Sequence, residues 1–184
     1  MSEIRVLDKH VAELIATGEV IDRPASVVKE LIENSVDAGA KHITVEIKSG
    51  GIELIRVTDD GKGIAHEDAE TSFLRHATSK VRTANDLNEI FTLGFRGEAL
   101  ASVCAVAKVS LITRKPELDI GCHVEVAGGE VLLNEEAGCP VGTTIMVKNL
   151  FYNTPARMKF LKKDVSEANA VAAVVKKLRF QILR

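Results

Sequence analysis

Apolar residues recur every three or four positions between Pro24 and Gly39, whereas the segments that follow alternate apolar and polar residues one by one. The first period is that of an amphipathic helix, and the second is that of a strand with one buried face. Pro24 suits the first turn of the helix. An earlier helix is predicted from Asp8, which can cap it, through Thr17, with Gly18 ending it.

The alternating segments 42–48 and 52–58 flank Ser49, Gly50 and Gly51. Small residues between two alternating runs are typical of an antiparallel hairpin. One face of this hairpin is apolar, so we expect helices to cover it.

The rest of the chain adds further elements to this hairpin. Helices are predicted over 66–76, 98–106 and 164–182, and strands over 108–114, 121–127, 130–135 and 143–149. A polar, glycine-bearing stretch over 77–97 holds a short helix near 86–91. These elements predict an α+β fold, a two-layer α/β sandwich in which helices cover one face of a mixed, mostly antiparallel sheet.

Length and composition favour one domain over 1–184, because 184 residues, 46% of them hydrophobic, can bury one core but not two. No segment approaches the roughly 20 apolar residues of a membrane helix, and the first residues lack the pattern of a secretory signal. We therefore expect no membrane partner and no secretion, but a cytoplasmic protein, or a nuclear one in a eukaryote. Three cysteines without metal-like spacing predict neither a disulfide framework nor a zinc site.

The net charge of −2 hides a basic end, since residues 151–184 hold eight Lys and Arg against two acidic residues. A basic segment can bind a phosphate backbone, so weak, non-specific DNA binding is one interpretation. The other is that these lysines are the solvated faces of helices.

Two polar pairs have four-residue spacing within the helix after Pro24. By helical geometry, Glu30 and Asn34 lie one above the other on a flank of the apolar stripe, whereas Glu33 and Asp37 lie nearly opposite its centre. A carboxylate and a neutral oxygen donor on one flank can face the same bound group. The alternative is a surface helix whose acids are solvated.

Asp59 directly follows the second predicted hairpin strand, and Gly61 and Gly63 come shortly after it. The glycines let the backbone approach a ligand, and the carboxylate can accept a hydrogen bond from an amino group such as that of adenine. The alternative is an ordinary glycine turn after a strand. A calcium loop is disfavoured because the acidic ligands before the glycine and the later glutamate are missing.

The segment 93–100 places Gly94 and Gly97 before an apolar helix, where free N–H groups can cradle phosphates. It lacks the Gly-Lys-Ser/Thr of the usual phosphate loop, and a flexible loop before a core helix is the alternative. The segment 75–80 adds donors of the kind that phosphates use. The helix predicted over 66–76 begins with His66 and Glu67 but lacks the second histidine of a zinc protease.

The order of these motifs resembles the ATPase superfamily of gyrase, a heat-shock chaperone, histidine kinases and MutL. Glu-x-x-x-Asn lies on a helix, Asp-x-Gly-x-Gly follows a strand, Gly-Phe-Arg-Gly-Glu-Ala-Leu precedes a helix and Gly-Thr-Thr opens a late strand. More narrowly, four strings resemble the MutL branch of DNA mismatch repair. They are Gly18-Glu19-Val20 and the segments 23–31, 75–80 and 151–157, so the resemblance runs essentially from end to end.

The resemblance implies a role for each motif. Glu30 would be the general base for water, Asn34 would bind Mg²⁺, and Asp59 would receive the adenine amino group, helped by Thr143 through water. Gly61 and Gly63 would make room for the nucleotide. A lid would wrap the phosphates with Gly94, Phe95, Arg96, Gly97, Glu98, Ala99 and Leu100 from one end and with Thr78, Ser79 and Lys80 from the other.

The resemblance also implies partners for such a slow ATPase. Lid closure would let the N-terminal arm, about 1–19, exchange contacts with a second copy, so that ATP drives dimerisation. Mismatch-recognition protein and downstream repair factors would then read this state. The family supplies a lysine for the γ-phosphate from a second domain, which would lie beyond residue 184. We therefore expect a fragment that binds ATP weakly and hydrolyses it poorly.

Two alternatives stay open at this point. One is a gyrase-type or histidine-kinase ATP domain, which the strings around Arg23 and Phe151 disfavour. The other is a non-hydrolysing nucleotide sensor or DNA-binding clamp, which the basic end suggests.

Overall fold

An antiparallel sheet and the helices that cover it make up the described part of the chain. The computed structural model describes residues 21–74, 77 and 98–182, with side chains up to Leu178. In chain order the elements are α1 (Pro24–Asp37), β1 (Ile43–Lys48), a 3-10 turn (Ser49–Gly51), β2 (Leu54–Asp59), α2 (His66–Ala69), a 3-10 turn (Thr71–Phe73), α3 (Ala99–Val106), β3 (Lys108–Arg114), β4 (Gly121–Ala127), β5 (Glu130–Ala137), β6 (Gly142–Lys148), α4 (Pro155–Met158) and α5 (Asp164–Ile182).

Most elements predicted from the sequence are confirmed within one or two residues. The predicted helix over 66–76 is wrong, because its described part is one helical turn followed by a 3-10 turn. Ser72 donates its hydroxyl hydrogen to the carbonyl of Ala69 at 2.7 Å, which competes with the helical hydrogen bond. Leu74 is already extended, with φ −79° and ψ 148°. The helices predicted over 8–17 and 86–91 lie outside the described residues.

The described strands form one sheet in the order β1-β2-β6-β3-β4-β5. Every pairing in it is antiparallel, so the predicted α+β two-layer fold is confirmed and the described sheet holds no parallel pair. The last strand in sequence, β6, pairs with both β2 and β3 and therefore lies inside the sheet. Two segments that are far apart in sequence thus meet at its centre.

The core lies between one face of the sheet and the helices α1, α3 and α5. Alternate residues of the central strands point into it, and all are nearly inaccessible to solvent: Ile55, Val57, Val109, Leu111, Val124, Val126, Ile145 and Val147. From α1, Val27, Val28 and Leu31 are at most 2% exposed. Burying each such side chain stabilises the fold by about 1.5–3 kcal/mol, so α1 is held firmly against the sheet.

The long helix α5 is fastened to the start of α1 by a buried carboxylate. Glu167 has no solvent exposure. Its Oε1 accepts a hydrogen bond of 3.0 Å from the backbone N–H of Lys162 and lies 3.6 Å from the guanidinium of Arg23. Arg23 immediately precedes α1, so this contact links α5 to the start of that helix. Within 21–74 and 98–182, none of the helices has the length and apolar content needed to span a bilayer.

Gly50 in the β1–β2 turn lies close to the start of α5. Its φ is +64°, and a β carbon there would lie 2.8 Å from the carbonyl oxygen of Asp164 and 3.1 Å from Cβ of Glu167. Gly39 also has a positive φ, of +76°, but a β carbon there would meet nothing within 4 Å. A substitution of Gly39 therefore introduces backbone strain alone, whereas a substitution of Gly50 introduces both backbone strain and a packing clash.

We expect Gly50→Ala to lower the free energy of unfolding by about 1–3 kcal/mol more than Gly39→Ala, because only the first substitution overpacks a helix contact. Urea unfolding of both variants measures the difference. Equal losses would show that α5 does not pack on this turn in solution.

Candidate functional site

Three polar side chains lie in one row across the centre of the sheet. Asp59 on β2 is opposite Thr143 on β6, and Thr143 is opposite Thr113 on β3. Strand alternation places all three on the helix-covered face, and they are only 8%, 9% and 1% exposed. This polar row (Asp59, Thr143 and Thr113) ends an otherwise apolar face.

The carboxylate of Asp59 is held through both of its oxygens. Ser35 on α1 donates its hydroxyl hydrogen to Oδ2 at 2.7 Å, and the backbone N–H of Gly61 donates to Oδ1 at 2.9 Å. The Ser35 hydroxyl also lies 3.1 Å from the carbonyl of Leu31, one helical turn earlier. Each carboxylate oxygen keeps a further lone pair. The site therefore presents a buried acceptor whose orientation is fixed before any ligand arrives.

The loop after β2 is shaped by the protein itself. Gly63 has a φ of +64°, and a β carbon there would lie 2.1 Å from the carbonyl oxygen of Arg114. A β carbon on Gly61 would lie 2.9 Å from that of Ala38. Both glycines are thus required by the close packing of this loop. Their predicted role in making room for a nucleotide stays a prediction.

The two neighbouring aspartates have different surroundings. Asp60 is exposed, and its Oδ1 accepts the backbone N–H groups of His42 and Lys41 at 2.9 and 2.7 Å. The His42 ring nitrogen Nδ1 lies 2.7 Å from Oδ2. Hydrogen bonds from the backbone and ring of His42, helped by Lys41, hold the pKa of Asp60 well below its usual range. Asp60 therefore ties the α1–β1 loop to the end of β2, while Asp59 faces the site.

On α1, Glu30 and Asn34 are both half-buried, as expected for residues on the flank of the apolar stripe. Helical angle places Glu33 nearly opposite the apolar stripe, but its side chain is buried, with the residue only 7% exposed, so the alternative of a helix whose acids are all solvated is wrong. Lys29 compensates its charge, with Nζ 3.1 Å from Oε1 of Glu33 and 3.5 Å from Oε1 of Glu30. Partial burial acts to lower the pKa of Lys29, but the hydrogen bond to Glu33 and the two carboxylate charges outweigh it and raise that pKa.

The predicted phosphate-binding residues are described only in part. Glu98 immediately precedes α3, and Ala99 and Leu100 are its first two residues. The other predicted lid residues lie outside the described part of the chain: Thr78, Ser79, Lys80, Gly94, Phe95, Arg96 and Gly97.

Two residues that hold the site were missed as functional candidates. By helical spacing Ser35 falls on the apolar stripe of α1, and a hydroxyl at such a position signals a buried hydrogen bond. Thr113 follows Val109 and Leu111 at the core-facing positions of β3. A polar residue at a core-facing position of a strand was the signal that could have found it.

Comparison with known proteins shows the family to which the chain belongs. Residues 22–126 match the model of the family described as histidine kinase-, DNA gyrase B-, and HSP90-like ATPase, and the chain belongs to this family. Within it, the chain is similar to DNA mismatch repair protein MutL. It is 56% identical to MutL of Koribacter versatilis over 175 residues and 52% identical to that of Symbiobacterium thermophilum over 178 residues. The predicted resemblance to the MutL branch is confirmed.

These relatives are longer proteins. The matches cover 95% and 97% of this chain but only 27% and 28% of the two relatives, so the chain spans about a quarter of their length. Among solved structures, the Aquifex aeolicus MutL ATPase domain complexed with ADP is 36% identical, with a TM-score of 0.66 over 86% of this chain and 55% of that one. The N-terminal domain of a DNA repair protein is 34% identical, with a TM-score of 0.73 over 89% of this chain and 47% of that one.

We expect Ser35→Ala to lower the free energy of unfolding by about 1.5–3 kcal/mol, because it removes a buried hydrogen bond to a charged group. Ser26→Ala is the matched control, since Ser26 on the same helix donates to Asp22 at an exposed position. The control should cost much less. Denaturant unfolding compares them, and equal costs would contradict a buried Ser35–Asp59 contact.

Proposed function

We propose that this chain binds ATP and hydrolyses it slowly to ADP and phosphate, as the ATPase unit of a DNA mismatch-repair protein. The observation that carries this proposal is the buried Asp59 carboxylate, fixed by Ser35 and Gly61 beside Thr143. A fixed, buried acceptor suits the amino group of adenine, because an unpaired polar group there would be costly. The Aquifex aeolicus relative complexed with ADP supports the same ligand class.

In this proposal the two ends of the nucleotide meet different elements. Asp59 accepts a hydrogen bond from the adenine amino group, and Thr143 assists through a bound water. Gly61 and Gly63 keep the β2–α2 loop close to the base. The first residues of α3, Ala99 and Leu100, lie at a helix N-terminus, where backbone N–H groups favour phosphate oxygens. The segments 78–80 and 94–97 complete the phosphate lid.

The residues present fit a magnesium ion that is shared with the nucleotide. In the described part of the chain, no group of three or more His, Cys, Asp or Glu side chains could hold a metal by themselves. Magnesium commonly binds through one or two protein oxygens, several waters and substrate phosphates. Asn34, at a half-buried position on α1, would supply one such oxygen. When bound, the ion neutralises charge on the phosphates.

Glu30 is the general base in this mechanism. Its side chain is 27% exposed, so it borders solvent while α1 is anchored in the core. Glu30 accepts a proton from the attacking water, whose oxygen forms a bond to the γ-phosphorus. The bond from that phosphorus to the bridging β–γ oxygen breaks, and ADP leaves. A carboxylate on a firmly packed helix is oriented for this transfer.

The activity of the whole protein is proposed on the same basis. ATP binding closes the lid and brings the N-terminal arm of one copy, about 1–19, against a second copy or a related subunit. A second domain contributes a lysine to the γ-phosphate. A mismatch-recognition protein and downstream repair factors recognise the closed state. Such a protein works where the chromosome is, in the bacterial cytoplasm or the eukaryotic nucleus.

We expect Glu30→Ala to bind ATP but to lose phosphate release by about 10²- to 10⁴-fold, the range that general-base catalysis contributes. Glu33→Gln is the control on the same helix, and it should retain most of the turnover. Phosphate release and ATP binding are measured on both variants. Unchanged turnover in Glu30→Ala, or a larger loss in Glu33→Gln, would refute the assignment of the base.

The contribution of the second domain is tested by phosphate release from this chain and from a longer chain that includes the next domain, side by side. We expect higher turnover from the longer chain. Equal turnover would refute the proposed lysine.

Weak, non-specific DNA binding by the basic segment 151–184 is a second candidate function. The exposure of Lys159, Lys162, Lys163, Lys176 and Lys177 favours it. This DNA binding is compatible with ATP hydrolysis and would bring the ATPase to DNA.

We expect this chain to be retained on a duplex DNA column, and we expect its retention to fall steeply as the salt concentration rises. Replacing Lys162 and Lys163 together with Gln should reduce the slope of log affinity against log salt by about 2, since each phosphate contact contributes roughly 0.9. Replacing the exposed Lys41 and Lys62 in the same way is the control. Retention that does not depend on salt, or an equal effect of replacing either lysine pair, would show that the lysines of the basic segment are only the solvated faces of helices.

A further inference from the structure

Thr113 lies at the end of the polar row but takes no part in the proposed reaction. Its side chain is 1% exposed, so a ligand does not reach it directly. Its hydroxyl oxygen nevertheless makes three hydrogen bonds. It lies 2.9 Å from the backbone nitrogen of Ile64, 2.9 Å from the carbonyl oxygen of Gly142 and 3.0 Å from the hydroxyl oxygen of Thr143.

The directions of these three hydrogen bonds follow from valence. A hydroxyl has one hydrogen to donate and two lone pairs that accept. The N–H of Ile64 can only donate, and the carbonyl of Gly142 can only accept. Thr113 therefore donates its one hydroxyl hydrogen to the carbonyl of Gly142 and accepts a hydrogen bond from the N–H of Ile64. In its remaining contact it is an acceptor, so Thr143 is the donor.

The consequence is that Thr143 turns its hydrogen away from the ligand and presents lone pairs. Asp59, directly opposite Thr143 on the next strand, also presents only acceptors. Two neighbouring acceptors are satisfied by a group with two hydrogens, either directly or through a bound water. The exocyclic amino group of a 6-aminopurine is such a group.

We propose that Thr113 is a specificity-determining residue, which fixes the Thr143 hydroxyl as an acceptor so that the site selects a purine with an amino group at position 6. Thr113 acts through Thr143 and is therefore a positioning residue. The same hydroxyl holds the loop after β2 through Ile64 and so fixes two sides of the base site together. This inference rests on the proposed binding of ATP and deepens it.

The first test uses the unmodified chain and two nucleotides. Purine riboside 5′-triphosphate differs from ATP only by the loss of the amino group, so the ratio of the two dissociation constants reports what that group contributes. A site that hydrogen-bonds an amino group rejects an analogue that lacks it. We expect ATP to bind at least tenfold more tightly, as measured by calorimetry. Equal affinities would overturn the inference while leaving ATP binding intact.

The second test changes the hydroxyl. Thr113→Val keeps the shape but releases the hydrogen of Thr143, and we expect the affinity ratio to fall roughly three- to tenfold, as for one neutral hydrogen bond. Thr113→Ser should restore the ratio, because it restores the hydroxyl. If Thr113→Val does not fold, Thr113→Cys replaces it, since a thiol is a much weaker hydrogen-bonding group.

Thr144→Val is the matched control on the same strand. Thr144 is half-buried and its hydroxyl donates to Thr58, so it lies on the opposite face of β6 from the polar row. The control should keep the ratio of the unmodified chain. A ratio unchanged in Thr113→Val, or lowered equally by Thr144→Val, would overturn the role of Thr113. Failure of ATP itself to bind the unmodified chain would overturn the proposed function as well.

Discussion

The pairing of β6 between β2 and β3 is the constraint on which the rest of the site depends. It brings Thr143 between Asp59 and Thr113, although these residues come from three distant parts of the chain. Cross-strand neighbours on one face lie close enough to hydrogen-bond, so the register of one strand fixes the whole polar row. A shift of one residue would turn Thr143 to the other face of the sheet.

Helix α1 serves both the core and the site through different sides. Its apolar stripe is buried against the sheet, while Ser35 reaches from the edge of that stripe to Asp59. Glu30 and Asn34 occupy the adjoining flank. Because the core contacts hold α1 in place, the orientation of Glu30 relative to Asp59 is set by hydrophobic packing. The buried Glu167 carboxylate adds a second anchor by binding the start of the same helix through Arg23.

Hydrophobic periodicity predicted the six described strands and the helices α1, α3 and α5, because strands and helices with one buried face carry strong patterns of two and 3.6 residues. It failed over 66–76, where the described residues form one helical turn and a 3-10 turn, and Ser72 hydrogen-bonds back to the carbonyl of Ala69. It also misjudged Glu33, since a helical angle does not include the neighbouring Lys29 that allows a carboxylate to be buried. Local spacing describes one element, whereas burial depends on what packs against it.

The sequence by itself determined the α+β class, the Glu30 and Asn34 pair and the glycines after Asp59, because these are properties of residues within a few positions of one another. Only the tertiary structure decided that Ser35 reaches the Asp59 carboxylate, that Gly63 packs against the carbonyl of Arg114, and that the hydroxyl of Thr113 contacts that of Thr143. Those contacts join residues up to 51 positions apart, such as Gly63 and Arg114. The pairing of strands and the packing of a helix and a loop on the sheet create them, and no local pattern encodes which elements will be neighbours.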